Sequence, residues 1–478
     1  MNAGTLRPSS PTLPFSNGLR TVLAVALPLA AGLLLRLKML RWLYAPDGDA
    51  LIYGGIAKNL LLHGRYALNG AGGELYPTLI RLPGTPFLLA LSFRLFGMEN
   101  YLAASCLQIF LELIGCLLLA DFARRIAPAA YARRAALATL WLAALCPFTA
   151  SFTANPMAET PTLFSIALAL WAVARFHQRP NWPTALTFTF AVVLTTLLRP
   201  DGALVAVALA PALILGPPRV LLAPAKLARM ALVCVLLALA PFALWTARNA
   251  RVFHVFEPLA PRLATDPGED QNLGWEAWIK SWCLDFSSTY EIYWYVPGDQ
   301  IRIDKLPARA FDSPAQRTET AALIDDYNDQ LVLTPALDAR FARLAQERTD
   351  AHPWRSRLGL PWGRLADMWL RPRVENLPID MDWWNYARHR VETRFCYGWG
   401  ALNLLYLGLA LAGLWRRPLF WRPMLGYILL RCALLLTVEA PETRYTIECF
   451  PMLFVLGGLA LGKAGTKGIG SRKQGRRE

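Results

Sequence analysis

Charge is what this chain has little of. Only 17% of its 478 residues are Asp, Glu, Lys or Arg, against 55% hydrophobic residues, and a mean hydropathy of +0.31 excludes an ordinary soluble globular protein. Histidine and cysteine are sparse, and no spacing among the five histidines and eight cysteines holds zinc. Most cysteines, Cys106, Cys116, Cys234 and Cys432 among them, lie in apolar runs and serve there as small apolar residues. Cys283 and Cys396 would both face the oxidising side, and two free thiols are expected there rather than a bridge. A cleavage signal is missing as well. After a polar start with Arg7 and Arg20, the first apolar run is long, ends in Arg36-Leu37-Lys38 and shows no small-residue cleavage site, so it is expected to stay as an uncleaved first helix.

What is present is a series of apolar runs near the roughly 20 residues that cross a bilayer. They fall near 21–41, 101–122, 133–151, 157–176, 182–199, 201–216, 226–247, 396–415, 420–437 and 445–462. The expected fold is therefore an all-α polytopic membrane protein of about ten transmembrane helices. Basic residues fix its orientation. Arg124, Arg125, Arg133 and Arg134, then Arg175 and Arg179, then Arg219, Lys226 and Arg229, then Arg416, Arg417 and Arg422 fill alternate short loops, as cytoplasmic loops do. Lys463, Lys467, Arg472, Lys473, Arg476 and Arg477 extend the same side into a basic tail, 463–478. Much of the +15 net charge is thus topological, with no nucleic-acid partner implied. Segments 42–100 and 248–395 are left together on the extracytoplasmic face. This divides the chain into a membrane module at 1–247 that includes the loop 42–100, a mainly helical outer segment at 248–395, and C-terminal membrane helices at 396–462.

Directly after the first run stands Pro46-Asp47-Gly48-Asp49, two carboxylates at the lip of the membrane. Acids at that depth are costly and commonly serve a ligand, an ion or a proton. Apolar residues at helical spacing follow until His63-Gly64, a helix stop. The segment is too short to cross and should lie along the surface, with Asp49 at its start and Tyr53 one turn later on the same face. A second short unit, Phe87 to Phe96, follows Arg81-Leu82-Pro83-Gly84-Thr85-Pro86. A helix cap is the plain alternative for either acid, above all for Asp47.

Taken in order, these residues resemble the C-type (GT-C) membrane glycosyltransferases, in the branch that holds protein O-mannosyltransferases and the bacterial aminoarabinose transferase of lipid A. The resemblance rests on Asp49 four before Tyr53, Ala57, Asn59-Leu60-Leu61, Gly64, the Arg81 to Pro86 turn and Leu95-Phe96-Gly97. It continues through Asn155-Pro156-Met157-Ala158-Glu159, Leu198-Arg199-Pro200-Asp201-Gly202, Trp245-Thr246-Ala247-Arg248-Asn249 and Glu442-Thr443-Arg444-Tyr445. One departure stands out: the family often carries a second acid immediately after the catalytic Asp, and this chain has Ala50.

The resemblance implies transfer of a sugar from a polyprenyl-phosphate donor to a hydroxyl or amine of an extracytoplasmic glycan, lipid or protein, with inversion, by a hexosyl- or pentosyltransferase of the plasma (inner) membrane. Asp49 is the expected base, its pKa expected to rise by desolvation, with Asp47 as the candidate second acid. Arg81, Arg199, Arg248 and Arg444 are the expected phosphate contacts, since the guanidinium fork matches phosphate; Tyr53 lines the same site and Glu159 is expected to partner an arginine. Snorkelling is the alternative for each arginine. The cofactor question stays open between none and a divalent ion such as Mg2+ or Mn2+. The outer segment carries nine of the 17 tryptophans, which suit either sugar stacking or a membrane interface; the interface is expected for Trp354, Trp362 and Trp369. A transporter or flippase is the rival reading, but it places charge in broken helices at the midplane and commonly repeats internally, neither of which is seen. A non-enzymatic envelope scaffold explains the acids and arginines at helix ends least well. The orientation is tested by reporter fusions after Gly72 and after Gly470: they should report opposite sides of the membrane, and matching signals overturn it.

Overall fold

The computed structural model describes residues 15–70, 72–215 and 221–474. Arg7, Arg219, Arg476 and Arg477, used above for orientation, lie outside the described residues. The chain is helical almost throughout. Helix α1 (Phe15–Leu43) leads to α2 (Gly48–His63), which closes on Gly64 in the left-handed conformation at φ 63°. There the Gly64 N–H meets the Leu60 carbonyl at 3.1 Å, the glycine stop expected from the sequence.

A two-stranded hairpin, β1 (Ala67–Asn69) with β2 (Leu75–Pro77), pairs antiparallel with Leu68 opposite Tyr76. It was not expected, although the glycine-rich Asn69 to Gly73 turn permits it. Asn59 fastens it to α2 by donating to Ala67 O and Asn69 Oδ1, both at 2.9 Å. Then come α3 (Gly84–Phe96), α4 (Tyr101–Ile126) and α5 (Ala132–Ala144).

Two expected spans are broken, both by proline, which removes a helical donor and clashes with the preceding turn. The run 133–151 stops at Ala144 and resumes as Pro147–Ser151. The run 201–216 becomes a 3-10 turn at Pro200–Gly202 and two short helices, Ala203–Leu209 and Pro211–Ile214. Among the described residues, five helices are long and apolar enough to cross a membrane, and shorter apolar ones such as Trp182–Leu198 stand beside them. The chain is a multi-pass helical membrane protein; a count of ten is not reproduced by length and composition. The last helix, Phe450–Gln474, runs on into the expected tail.

The outer segment folds around its tryptophans. Trp275, Trp278 and Trp282 are 2%, 0% and 1% exposed and share a core with Tyr327 and Phe341. They stabilise this cap and offer no open face to a sugar. Its helices Pro314–Asn328 and Pro335–Ala351 begin as expected, with Ser313 and Thr334 side chains accepting from Gln316 and Leu337 N–H groups. Leu360–Leu370 buries Leu365 and Met368 while Trp354 and Trp362 remain exposed, an amphipathic arrangement suited to an interface.

In the membrane bundle the last helix packs on α5 through small residues, as membrane helices do where backbones approach closely. A Cβ at Gly458 would stand 2.7 Å from the Thr139 nitrogen, and one at Gly462 2.7 Å from the Ala135 nitrogen. Gly458→Ala should therefore cost about 1–3 kcal/mol through overpacking and lower the melting temperature in detergent. Gly426→Ala, where a Cβ meets nothing within 4 Å, should not. Equal melting temperatures for the two variants contradict the packing described.

Candidate active site

The site is built from helix ends and turns that meet. Asp49 is the second residue of α2, where the positive helix terminus favours a carboxylate. Its Oδ1 accepts from Arg81 Nη2 at 2.7 Å and its Oδ2 from Arg444 Nη1 at 3.2 Å. Arg81 stands in the turn before α3, and Arg444 in the 3-10 stretch Thr443–Cys449 ahead of the last helix. Tyr53 is buried one turn along α2, with the Arg81 guanidinium 6.0 Å from its ring centre.

Behind this clamp the charges continue inward. Arg444 Nε lies 2.5 Å from Glu442 and its Nη1 3.9 Å from Glu159. Glu159, in the first turn of Glu159–Gln178, is 2% exposed and 3.2 Å from Arg199. Arg199 ends the helix Trp182–Leu198 and reaches Asp201 at 3.5 Å and Glu448 at 2.8 Å. Arg431, fully buried, closes the set at 2.5 Å from Asp201 and 2.9 Å from Glu448. Four arginines and five acids thus form one continuous network. Glu159 has the arginine partners expected of it, and neither Arg199 nor Arg444 snorkels.

Asp49 departs from expectation in its proton affinity. Burial alone would push its pKa up, but the Arg81 and Arg444 charges outweigh burial and hold it below the usual carboxylate range. Burial likewise opposes the charge on Arg81, and Asp49 more than compensates it. In this arrangement Asp49 is a clamped anion rather than a strong base.

Two cavities meet at the clamp. One, of about 650 Å3, is lined by Asp49, Tyr53, Arg81, Glu159, Arg199 and Arg444, with apolar Leu82, Leu198 and Leu434 beside them and Tyr293 and Arg262 from the cap. The other, of about 790 Å3, is lined by Asp47, Asp49, Asn155, Trp294, Glu375, Glu442 and Arg444. Asp49 and Arg444 belong to both. Asp47 occupies the N-cap position of α2, but its side chain makes no capping hydrogen bond; it is exposed on the wall of the second cavity.

Arg248 stands apart from both cavities. It donates to Thr78 O at 2.8 Å, Tyr66 O at 2.9 Å and Asn249 Oδ1 at 3.0 Å, beside an apolar groove lined by Leu60, Phe87, Leu244 and Trp245. Its donors hold backbone in place, so the expected phosphate contact is not assembled there. Arg431 and Glu448 were missed because both fall inside runs read as spans; an ionisable residue within an apolar run was the available signal.

The carboxylates around Asp49 face arginines. Both Asp49 oxygens already accept from arginines, Glu442 and Glu159 are paired as well, and Ala50 supplies no ligand. Among the described residues, the one group of three or more metal-type side chains lies elsewhere, at Asp380, His389 and Glu392.

Comparison with known proteins agrees with the resemblance read from the sequence. Residues 80–245 match the family described as dolichyl-phosphate-mannose-protein mannosyltransferase. The oligosaccharyltransferase AglB from Archaeoglobus fulgidus, solved with an inhibitory peptide and a dolichol-phosphate, is similar over 96% of this chain and 52% of its own, at 11% identity and a TM-score of 0.47. ArnT from Cupriavidus metallidurans bound to undecaprenyl phosphate is similar over 93% of this chain and 76% of its own, at 15% identity and a TM-score of 0.40. The chain spans about half the length of the archaeal protein, and at these TM-scores neither likeness assigns a function. No curated protein matches the chain by sequence.

The separate role of Arg248 can be checked by stability alone. Arg248→Ala leaves the Thr78 carbonyl without its arginine donor and the Tyr66 carbonyl with only the Thr78 N–H, and should cost about 1–3 kcal/mol, seen as a lower melting temperature. An unchanged melting temperature returns Arg248 to the list of candidate ligand contacts.

Proposed function

We propose that this protein is a membrane glycosyltransferase that moves a sugar from a polyprenyl-phosphate donor to a hydroxyl or amine of an extracytoplasmic glycan, lipid or protein. Its place is the plasma (inner) membrane, with the site on the extracytoplasmic face. The observation that carries the reading is Asp49 held between Arg81 and Arg444 where two cavities meet. One cavity supplies cations beside apolar walls, which suits a lipid phosphate. The other, walled by Asp47, Asn155, Trp294 and Glu375, suits an acceptor.

In this mechanism the acceptor oxygen or nitrogen attacks the anomeric carbon from the side opposite the phosphate. The bond from that carbon to the phosphate oxygen breaks, its electron pair leaves with polyprenyl phosphate, and the acceptor proton passes to Asp49, giving inversion. Arg81 and Arg444 stabilise the charge that grows on the leaving phosphate. Arginine charge thereby takes the part that Mg2+ or Mn2+ would otherwise play. A phosphate drawn to the two guanidiniums competes with Asp49 for them, so donor arrival raises the proton affinity of Asp49 and makes it a better base.

The test is incubation of purified protein with a labelled polyprenyl-phosphate sugar and a mixed acceptor extract, scored by release of polyprenyl phosphate and formation of a new glycoside. Asp49→Asn keeps the shape of the side chain and should lower transfer by about 10²-fold or more, the range of a general base, with folding retained. Arg81→Ala should weaken donor use, and Arg81→Lys should restore only part of it because the fork is lost. Near-normal transfer by Asp49→Asn at matched expression contradicts the mechanism.

A further inference from the structure

Outside the proposed site, one histidine is buried among carboxylates without a proton-sharing partner. His389 precedes the helix Arg390–Trp415, and its side chain is 8% exposed. Its Nε2 lies 3.0 Å from Asp382 Oδ1 and 3.6 Å from Asp380 Oδ2, while Nδ1 lies 2.6 Å from Glu392 Oε2. Neither Nε2 nor Glu392 Oε2 has a hydrogen-bond partner of acceptable geometry among the described residues. One donor atom each from Asp380, His389 and Glu392 falls within 4.8 Å of the others. Three carboxylates around one imidazole repel each other, and the nearby cations are peripheral: Arg388, 70% exposed and 3.6 Å from the far oxygen of Asp382, and Lys305 beyond it.

We propose that this cluster is a binding site for a divalent transition-metal ion of the Zn2+ class. Imidazole nitrogen with carboxylate oxygen is a donor set such ions favour. Asp380, His389 and Glu392, whose donor atoms converge, ligate the ion, and Asp382, with Oδ1 3.0 Å from His389 Nε2, steadies the ring, as outer carboxylates do for metal-bound histidine. Ligands bound at 2.0–2.2 Å to one tetrahedral ion stand roughly 3.3–3.6 Å apart, close to the spacing these side chains already have. The ion joins the turn at Asp380–Asp382 to the start of a membrane helix. The same turn follows Glu375, Asn376 and Pro378, which wall the second cavity, so the ion braces that wall. The site is distinct from Asp49 and does not depend on the proposed transfer reaction.

The test uses the full chain in detergent, stripped with chelator and free of any histidine tag, titrated with Zn2+ against a chromophoric chelator at pH 7.5. One Zn2+ per chain should bind at micromolar or lower concentration and raise the melting temperature. His389→Ala, Glu392→Gln and the exposed Asp380→Asn should abolish that binding, and Asp382→Asn should weaken it about 10–100-fold. Asp380→Asn lies on the surface and preserves the fold if His389→Ala does not. Absence of saturable Zn2+ binding overturns the proposal, as does an unchanged stoichiometry in both Asp380→Asn and His389→Ala. A melting temperature that does not respond to Zn2+ overturns it equally.

Discussion

The structure depends on keeping charge paired at the edge of hydrocarbon. Asp49, Glu159, Asp201, Glu442 and Glu448 face Arg81, Arg199, Arg431 and Arg444, five acids against four arginines, a balance of −1. An unpaired charge buried at such a position costs several kcal/mol, so the buried members such as Arg431 and Glu448 hold one another in place, while Asp49 and Arg81, each about a fifth exposed, tolerate the loss of a charge better. The pairing also decides shape. It joins the start of α2, the turn before α3, the Glu159 helix, the Pro200 turn, the Arg431 helix and the Thr443 stretch, and thereby sets the walls of both cavities.

That network is made largely of helix ends. Asp49 and Glu159 occupy first turns, where the helix dipole favours a negative charge. Arg199 ends a helix, and Asp201, Arg444 and Glu448 stand in 3-10 turns. The prolines that break the expected spans therefore have a positive use. Pro200 stops a helix where Arg199 and Asp201 must face Glu448, which an unbroken span would carry past one another.

Local chemistry was legible in the sequence where it was confined to one turn of chain. Asp49, Tyr53 and Arg81 declared themselves through their place beside the first apolar run, and the structure brings them together with Arg444 and Glu159. Arg248 looked equivalent because it too lies at a helix end at the same boundary. Whether an arginine faces a ligand or a backbone carbonyl is decided by tertiary neighbours, here Tyr66 and Thr78, about 170 residues away in the chain. Trp275, Trp278 and Trp282 recur at the helical spacing of a buried stripe, a signal that the choice between sugar stacking and a membrane interface passed over. Asp380, Asp382, His389 and Glu392 stayed hidden because the search for metal ligands followed histidine and cysteine spacing and passed over acids.

The clamp on Asp49 constrains the order of events in the proposed reaction. While Arg81 and Arg444 both hold the carboxylate, its proton affinity is low and an acceptor meets a poor base. A lipid phosphate that takes either guanidinium removes part of that hold, and the proton affinity rises as donor binds. Linkage makes the effect reciprocal: whatever factor phosphate adds to proton binding at Asp49, a proton at Asp49 adds to phosphate binding. The acceptor proton that neutralises Asp49 therefore strengthens the grip of Arg81 and Arg444 on the departing phosphate at the moment its charge grows. One pair of arginines thus couples the base to the leaving group across the point where the two cavities meet, and the same pairing that keeps Asp49 quiet without donor keeps the acceptor from being activated before there is a sugar to receive.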